Sequence, residues 1–530
     1  MFKFCLNYVK KYKVSFYFYF SFVLITGILT IFIPMMTGNI IDFISQKSEK
    51  RLMYAIVAFS IVQLCLIIFN FIKNRIYIKL QTNIAFKMIS DIIHHMQNVE
   101  IDVIEKYNMG YLNQRINSDS NSLSVFIISL FSDILVNSIS LVFSIWVLFT
   151  MSSLLGSIMV IVGCIYITIY MLLKKKVFLV SYRLKEEQAD FFSSMLMQLN
   201  DIKFIKIHSL IKSYQKKMKK AYEHYLKQVL KSQNLFFIYG SLDSIITLLA
   251  NISIFIFGGR LVIDDALSIG HFTMVISYFN YIINSFKYFS SLGKNYQENK
   301  VAYNRIMDLL KIKMEQRGNV VLQHINSIRC EKLTLKRDKQ IVFKDFTYEF
   351  RINTVYCICG LNGAGKSTLI DALIGLYTEK YTGKILYNSI DLKEIDTEIM
   401  RCKNISFMEQ NITFIRGGVL ENILISDDYC MQNISSIVSE EKIMSFLNSL
   451  GKINERKEGV SGGEGQKIGI CRTFAKDADV FILDEPTTSL DDKSIERFMK
   501  QIMKLKSGKI IIIVSHDQKV IQCCDEIIRL

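Results

Sequence analysis

The chain has no paired-cysteine framework, no low-complexity segment and no internal repeat, so a disulfide scaffold, a disordered polymer and a repeat array are all disfavoured. Its 11 cysteines fall at irregular spacings and read as reduced core residues. Cys357 and Cys359 flank one residue of an apolar strand, and Cys65 and Cys164 sit in lipid-type segments. Cys523 and Cys524 are adjacent but have no histidine at ligand spacing, so they read as a buried pair rather than as a redox or metal site. A cleavable signal peptide is also lacking. The first apolar run is too long for a signal core and has no small-residue cleavage site after it, so insertion by the first helix is expected.

What is present is apolar: 51% of the 530 residues are hydrophobic and 12% aromatic, against 21% charged. That mixture suits membrane segments joined to soluble protein, and the length allows two to four folding units. A formal net charge of +16 fits either a nucleic-acid partner or the cytoplasmic loops of a membrane protein. Its position decides between them. Lys10, Lys11 and Lys13, then Lys73 and Arg75, then Lys174, Lys175 and Lys176 stand just outside apolar runs, which points to the membrane and away from nucleic acid.

Charge-free stretches recur at the roughly 20 residues that a spanning helix needs. They run from Val14 to Ile41 and from Leu52 to Ile72, with the charged turn Lys47, Glu49, Lys50 and Arg51 between them. The uncharged run is too long for one span from Ile134 to Leu173 and predicts two, joined by a turn near Ser152, Ser153 and Gly156. A fifth span lies between Ser232 and Gly259, and a sixth between Ile269 and Phe286. The segments 73–122 and 174–231 are long, charged and helical in period, whereas the other turns are short, so both termini are expected in the cytoplasm. After Leu310, short strand-like runs (Val355 to Cys359, Val480 to Leu483, Ile510 to Val514) alternate with helical stretches, as in a parallel-sheet α/β domain. The boundary is expected near Gln316 to Asn319, giving domains 1–315 and 316–530.

The chemistry lies in the second part. Gly360-Leu361-Asn362-Gly363-Ala364-Gly365-Lys366-Ser367-Thr368 follows an apolar strand and precedes a helical sequence, the setting of a phosphate-binding loop. Glycines let backbone N–H groups surround phosphate oxygens, the helix N-terminus favours negative charge, Lys366 adds a cation and Ser367 a magnesium ligand. Further on, Val480 to Leu483 lead into Asp484-Glu485, which puts one carboxylate at a metal shell and the next where it can orient water as a general base.

With Pro486, Ser489, Leu490 and Asp491 following, the chain resembles the ABC ATPase family. Ser461-Gly462-Gly463-Glu464-Gly465-Gln466 resembles the family signature, which implies contact with ATP bound to a second subunit. Gln410 resembles the Q-loop glutamine, implying a role in metal binding and coupling. Asp491 lies in the D-loop, and His516 resembles the switch histidine. The membrane half is similar to exporters with six long helices. Gly110 to Asp119 resembles their first intracellular loop, Gly258 to Ile263 and Leu267 to Gly270 the segment between helices five and six, and Asn304-Arg305-Ile306 the exit from helix six. The implied fold is an all-α six-helix transmembrane domain fused to an α/β P-loop ABC ATPase domain. The implied cofactors are ATP and Mg2+.

Departures from the pattern matter as well. Near Lys336 and Arg337, where the family usually stacks an aromatic ring on adenine, there is none, leaving either Arg337 as a stacking partner or weaker base binding. Val460 and Glu464 replace commoner Leu and Gln. The chain stops at Leu530, where most relatives add a turn and helix. Asp133 and Asp243 stand within spans, either as contacts for cationic cargo or as partners of neighbouring helices, while Trp146 reads as an interface residue. A single nucleotide site per chain implies pairing, with a second copy preferred over a related half-transporter. Movement of loops near Asp119 and residues 200–215 is expected to carry ATP-driven closure to the membrane part. The resemblance implies export of a peptide or amphipathic molecule; a lipid flippase and a nucleotide-regulated sensor or channel subunit are the alternatives. With no peptidase domain before the first helix, a peptide cargo is expected to lose its leader elsewhere.

Overall fold

The computed structural model describes the backbone except at residues 108, 338–339, 362, 378–380, 427, 436–451 and 454–461; side chains are also left out at 170, 173, 174, 178, 290, 294, 336, 337, 340, 434, 435, 452 and 453. Two units result, Met1–Val99 with Val103–Ile312, and Lys313–Leu530 with Glu100–Asp102.

The first unit is helical. Its elements are α1 (Phe2–Lys11), α2 (Lys13–Ser45), α3 (Glu49–Gln97), α4 (Ile101–Glu105), α5 (Met109–Met151), α6 (Ser153–Asn200), α7 (Ile202–Ile207), α8 (Ile211–Ile263) and α9 (Ile269–Leu310). At 53 residues α8 is about 80 Å long, far more than the ~30 Å hydrocarbon layer, so such helices continue well beyond it. Among the described residues, α2, α3, α5 and α8 carry stretches long and apolar enough to cross a membrane, and α6 adds the shorter run Ser153–Ile169. The expected sixth span falls on α9, whose apolar face is diluted by Ser277, Asn280, Asn284, Ser285 and Lys287.

Local chemistry explains the breaks. Ser152 is extended (φ −159°, ψ 122°) and separates α5 from α6. The Ser268 hydroxyl accepts the His271 N–H and caps α9. Pro34, buried inside α2, cannot donate to the carbonyl one turn back. The released Thr30 oxygen is taken up by α9, whose Tyr281 hydroxyl donates to it at 3.3 Å, while the Tyr278 hydroxyl donates to the neighbouring Ile31 O at 3.0 Å. The segment Gly110 to Asp119, which lies between two spans and is helical in period, forms the first turns of α5. Its Leu112, Ile116, Ser120, Leu123 and Ile127 recur at helical spacing and are buried. The turn comes earlier, on either side of α4, so Asp119 is not a loop residue.

Buried charges in this unit meet partners. Asp119 (side chain 4% exposed) pairs with Arg305 Nε at 3.1 Å. Asp243 accepts the Tyr166 hydroxyl at 2.6 Å and faces Lys287 Nζ at 3.1 Å, so it binds neighbouring helices α6 and α9. Asp133 accepts from the adjacent Ser132 hydroxyl at 3.1 Å. Asp42, not singled out above, accepts the Gly270 N–H at 2.8 Å and the Ser268 hydroxyl at 2.7 Å, tying α2 to the start of α9. There the backbones nearly touch: a Cβ on Gly38 would lie 2.7 Å from Gly270 O.

The second unit is α/β. Strands β1 (Ser327–Arg337), β2 (Gln340–Arg351), β4 (Tyr381–Tyr387) and β5 (Ile390–Asp391) form an antiparallel sheet in the order β2-β1-β4-β5. Strands β3 (Thr354–Cys359), β6 (Ile405–Met408), β9 (Val480–Asp484), β10 (Ile510–Val514) and β11 (Glu526–Arg529) form a parallel sheet in the order β11-β3-β10-β9-β6. A small ladder joins β7 (Gly417–Gly418) to β8 (Lys452–Ile453). The central strands are apolar throughout because both faces are covered. Tyr356, Ile358, Ile482, Ile510 and Ile512 enter one core, and Val355, Phe481, Leu483, Ile511 and Ile513 the other. All 11 cysteines are free, but the expected buried pair is corrected: Cys523 is exposed and Cys524 half-buried. Consecutive residues at a helix end point about 100° apart, so one of them meets solvent.

Candidate active site

The parallel sheet brings three strand ends together, since β10 lies between β3 and β9 in register, with Val514 opposite both Ile358 and Asp484. Ligand-binding residues in open α/β sheets gather at this edge. After β3 the chain turns through Gly363 (φ 87°) and Gly365 (φ 91°) into α10 (Lys366–Leu373). These left-handed values suit glycine, and a side chain on Gly365 would also collide with Val342 of β2. Ala364 N–H donates to Leu361 O at 3.1 Å, closing the loop. Thr368 is buried on α10.

Lys366 reaches back along this loop. Its ammonium donates to Gly360 O at 2.9 Å, to Leu361 O at 3.3 Å and to His516 Nε2 at 2.8 Å. An ammonium only donates, so Nε2 is the accepting nitrogen in this contact and the ring proton sits on Nδ1. Glu485 Oε1 is 3.5 Å from the same Nε2. The Ser367 hydroxyl donates to Asp484 Oδ2 at 3.3 Å. Burial pushes the Asp484 carboxyl above the usual carboxylate range, against the pull of Ser367 and Lys366. Burial also raises Glu485, with the Asp484 charge adding to it and His516 and Lys366 opposing it.

Glu485 has a left-handed backbone (φ 49°), uncommon for a residue with a side chain and a place where strain is stored. Its conformation is pinned from two sides. Its N–H donates to Val514 O at 3.0 Å, and its carbonyl accepts from Gln466 Nε2 at 2.7 Å. Gln466 is buried on the helix Gly462–Ala475, and its Oε1 accepts the Ser489 N–H at 3.0 Å. In the sequence Gln466 is only one position of a pattern, and its spacing carries no sign that it clamps the Glu485 turn. Asp491 caps the helix Asp492–Leu505 through Ser494 N–H.

The structure thus brings Gly360, Lys366, Ser367, Asp484, Glu485 and His516 together. Gly462 and Gly463 open their helix beside Ser489, 3.0 Å separating its carbonyl from a Cβ built on Gly463. Gln410 is exposed two residues beyond β6 and, among the described residues, makes no hydrogen bond to the cluster. Asn362, Ser461 and the Arg337 side chain lie outside the described residues. The arrangement suits a polyphosphate with a hard cation: backbone N–H groups and an ammonium for anionic oxygens, and two oxygen donors, Ser367 and Asp484, beside them. Among the described residues no group of three His, Cys, Asp or Glu forms a self-contained metal cage. A cation here would rely on its substrate for remaining ligands.

Comparison with known proteins agrees with this layout. Residues 16–286 match the family described as the ABC transporter transmembrane region, and residues 343–488 that described as ABC transporter. A lactococcin-G-processing and transport ATP-binding protein of Lactococcus lactis subsp. lactis is 25% identical over 354 residues, 64% of this chain and 50% of that one. This chain therefore spans about half of that relative's length. A nisin transport ATP-binding protein of the same organism is 23% identical over 553 residues, covering 96% of this chain and 88% of its own. In fold, the chain superposes on a bacterial Atm1-family ABC exporter solved with ATP bound, with a TM-score of 0.87 at 16% identity, over 97% of this chain and 94% of that one.

Proposed function

The chain belongs to the ABC transporter family, and from that premise we propose that it is one half of an ATP-driven exporter moving a peptide or amphipathic molecule out of the cytoplasm by alternating access. The observation that carries this is the convergence of Lys366, Ser367, Asp484, Glu485 and His516 within hydrogen-bonding reach of one another at one sheet edge. The loop N–H groups of Gly363, Ala364 and Gly365 and the Lys366 ammonium bind the β- and γ-phosphates of ATP, with Gly360 and Asn362 shaping the loop and Thr368 seating α10. Arg337 is assigned to the adenine. Ser367 and Asp484, with Gln410, would hold Mg2+, which when bound neutralises charge across the terminal phosphates.

Glu485 orients the attacking water and accepts its proton at the carboxylate. The His516 backbone N–H donates to the Glu485 carboxylate and steadies it, and Gln466 fixes the turn from which it projects. Ser461, Gly462 and Gly463 are assigned to the γ-phosphate bound by a second copy of the chain, which makes the working unit a dimer, with a related half-transporter as the other possible mate. Both termini lie in the cytoplasm on the lysine distribution. A peptide cargo is supported by relatives whose names include nisin and lactococcin G transport.

The test is ATP hydrolysis by the purified chain in lipid nanodiscs. Glu485→Gln should lower turnover by about 10²- to 10⁴-fold while ATP still binds. Undiminished turnover in that variant sinks the assigned base, and no activity in the unmodified chain alone calls for a different second half. Stimulation by lipids rather than peptides would turn the cargo reading towards a flippase.

A further inference from the structure

The helix that carries Lys366 and Ser367 is tied, at its far end, to the segment that leads in from α9. With eight residues α10 is about 12 Å long, so whatever holds its carboxyl end also limits where its amino end and the phosphate loop can sit. That carboxyl end is closed by its own turn. Leu376 N–H donates to Asp371 O at 2.9 Å and Gly375 N–H to Ala372 O at 3.1 Å, with Gly375 left-handed at φ 78°. Two outside donors nevertheless reach the last carbonyls. The Tyr387 hydroxyl donates to Leu373 O, and Arg401 Nη1 donates to Ile374 O at 3.3 Å and to Gly375 O at 3.1 Å.

Arg401 has a second hold. Its Nη2 lies 2.9 Å from Glu315 Oε1 and 3.2 Å from Oε2, and Glu315, whose side chain is 10% exposed, also accepts the Thr397 hydroxyl at 3.2 Å. Both residues belong to the α/β unit, and Glu315 stands five residues after Leu310, the end of α9. Around it the segment is laced to the start of α11 (Thr397–Lys403) and the residues before it. Gly318 N–H donates to Ile395 O, Val320 N–H to Glu394 O and Asp396 N–H to Val320 O, each at 2.9 Å, and Arg317 pairs with Glu398. One guanidinium thus joins this segment to the carboxyl end of α10. Its planar fork offers one nitrogen to the carbonyls and the other to the carboxylate, which the point charge of a lysine cannot do. Gln410, the residue expected to couple the nucleotide to the membrane part, makes no hydrogen bond to the site among the described residues, whereas this link is complete.

We propose that Arg401 is a positioning residue for ATP: through Glu315 it passes the placement of the segment after α9 to α10, and so sets how tightly the phosphate loop holds the nucleotide. A shift of that segment moves the carboxyl end of α10, and Lys366 and Ser367 move with it. Small displacements of groups that bind phosphate weaken binding steeply, so the link acts on affinity before it acts on the chemical step. The proposal rests on ATP hydrolysis at the site described above and on no particular cargo. If the unmodified chain hydrolyses ATP and the variants below match it, this link fails while that reading stands.

The measurement is the ATP dependence of hydrolysis by the full chain in lipid nanodiscs, resolved into KM and kcat. Arg401→Met should raise the KM for ATP about tenfold with kcat within about twofold of the parent, and Glu315→Gln should raise KM about threefold. The two together should raise KM no further than Arg401→Met alone, because both cut one link. The double variant also leaves no buried carboxylate without its cation, so it guards against a fold lost in the single change. Arg401→Lys keeps the charge but not the fork, and its KM should fall between those of the parent and Arg401→Met. An unchanged KM in the double variant, or a loss of kcat at unchanged KM, overturns the proposal. So does an unchanged KM in Glu315→Gln, which would make Arg401 a helix cap and nothing more, and so does strict additivity of the two changes.

Discussion

Buried charge is handled in opposite ways by the two units. In the helical unit three buried acids face donors from another helix: Asp119 meets Arg305, Asp243 meets Tyr166 and Lys287, and Asp42 meets Gly270 and Ser268. At the sheet edge of the α/β unit two acids stand side by side, and both have carboxyls pushed up by burial. A matched charge serves the fold, whereas an under-matched one serves a ligand. Removing the first kind should destabilise, and removing the second should relieve.

The largest effect of this contrast is expected at Arg305. Arg305→Met leaves Asp119 buried without its cation and should lower the stability of the helical unit by about 3 to 5 kcal/mol, read by unfolding in detergent. Adding Asp119→Asn should recover most of that loss; strict additivity of the two changes would break the comparison. A smaller loss, about 1 to 3 kcal/mol, is expected for Gly270→Ala, because the added methyl meets the Gly38 carbonyl and the Asp42 carboxylate, which have little room to yield.

The smallest effect should have the opposite sign. Glu485→Gln is expected to raise the melting temperature of the α/β unit at neutral pH even as it lowers turnover. The Glu485 carboxyl is raised above its ordinary value of 4.5, so between the ordinary and raised values the folded state binds more protons than the unfolded one. Stability therefore rises as pH falls through that window, and the advantage of the glutamine variant should vanish below it. A variant that melts lower than the parent at neutral pH would place Glu485 with the structural charges. In turnover, the same shift should move the acid limb of the pH profile above the ordinary glutamate range.

Legibility followed the same division. The nucleotide cluster could be read because its parts are contiguous: a strand, three glycines, Lys366 and Ser367, then a second strand ending in two acids. Spans were visible as charge-free runs. Partners separated along the chain were not visible, and Asp42 passed unnoticed because Ser268 and Gly270 lie on the last long helix. Tyr278 and Tyr281 gave no sign of completing the hydrogen bonding around Pro34. The helical period of Gly110 to Asp119 is legible in the stripe of Leu112, Ile116 and Leu123, but the turn around Ile101–Glu105 that precedes it is not. For Gln466 the pattern was seen, but its grip on the Glu485 carbonyl is a tertiary fact.

The strand order carries a consequence for how the chain comes into being. Strand β3 leads into the phosphate loop early in the α/β unit, yet its two neighbours, β10 and β11, begin only at Ile510 and Glu526. During synthesis β3 therefore emerges with both edges open and must wait for almost the whole unit to follow, while each long helix can close its own backbone bonds as it leaves the ribosome. The ATPase half is the late and exposed step of biogenesis, the stage at which a chaperone would have most to protect.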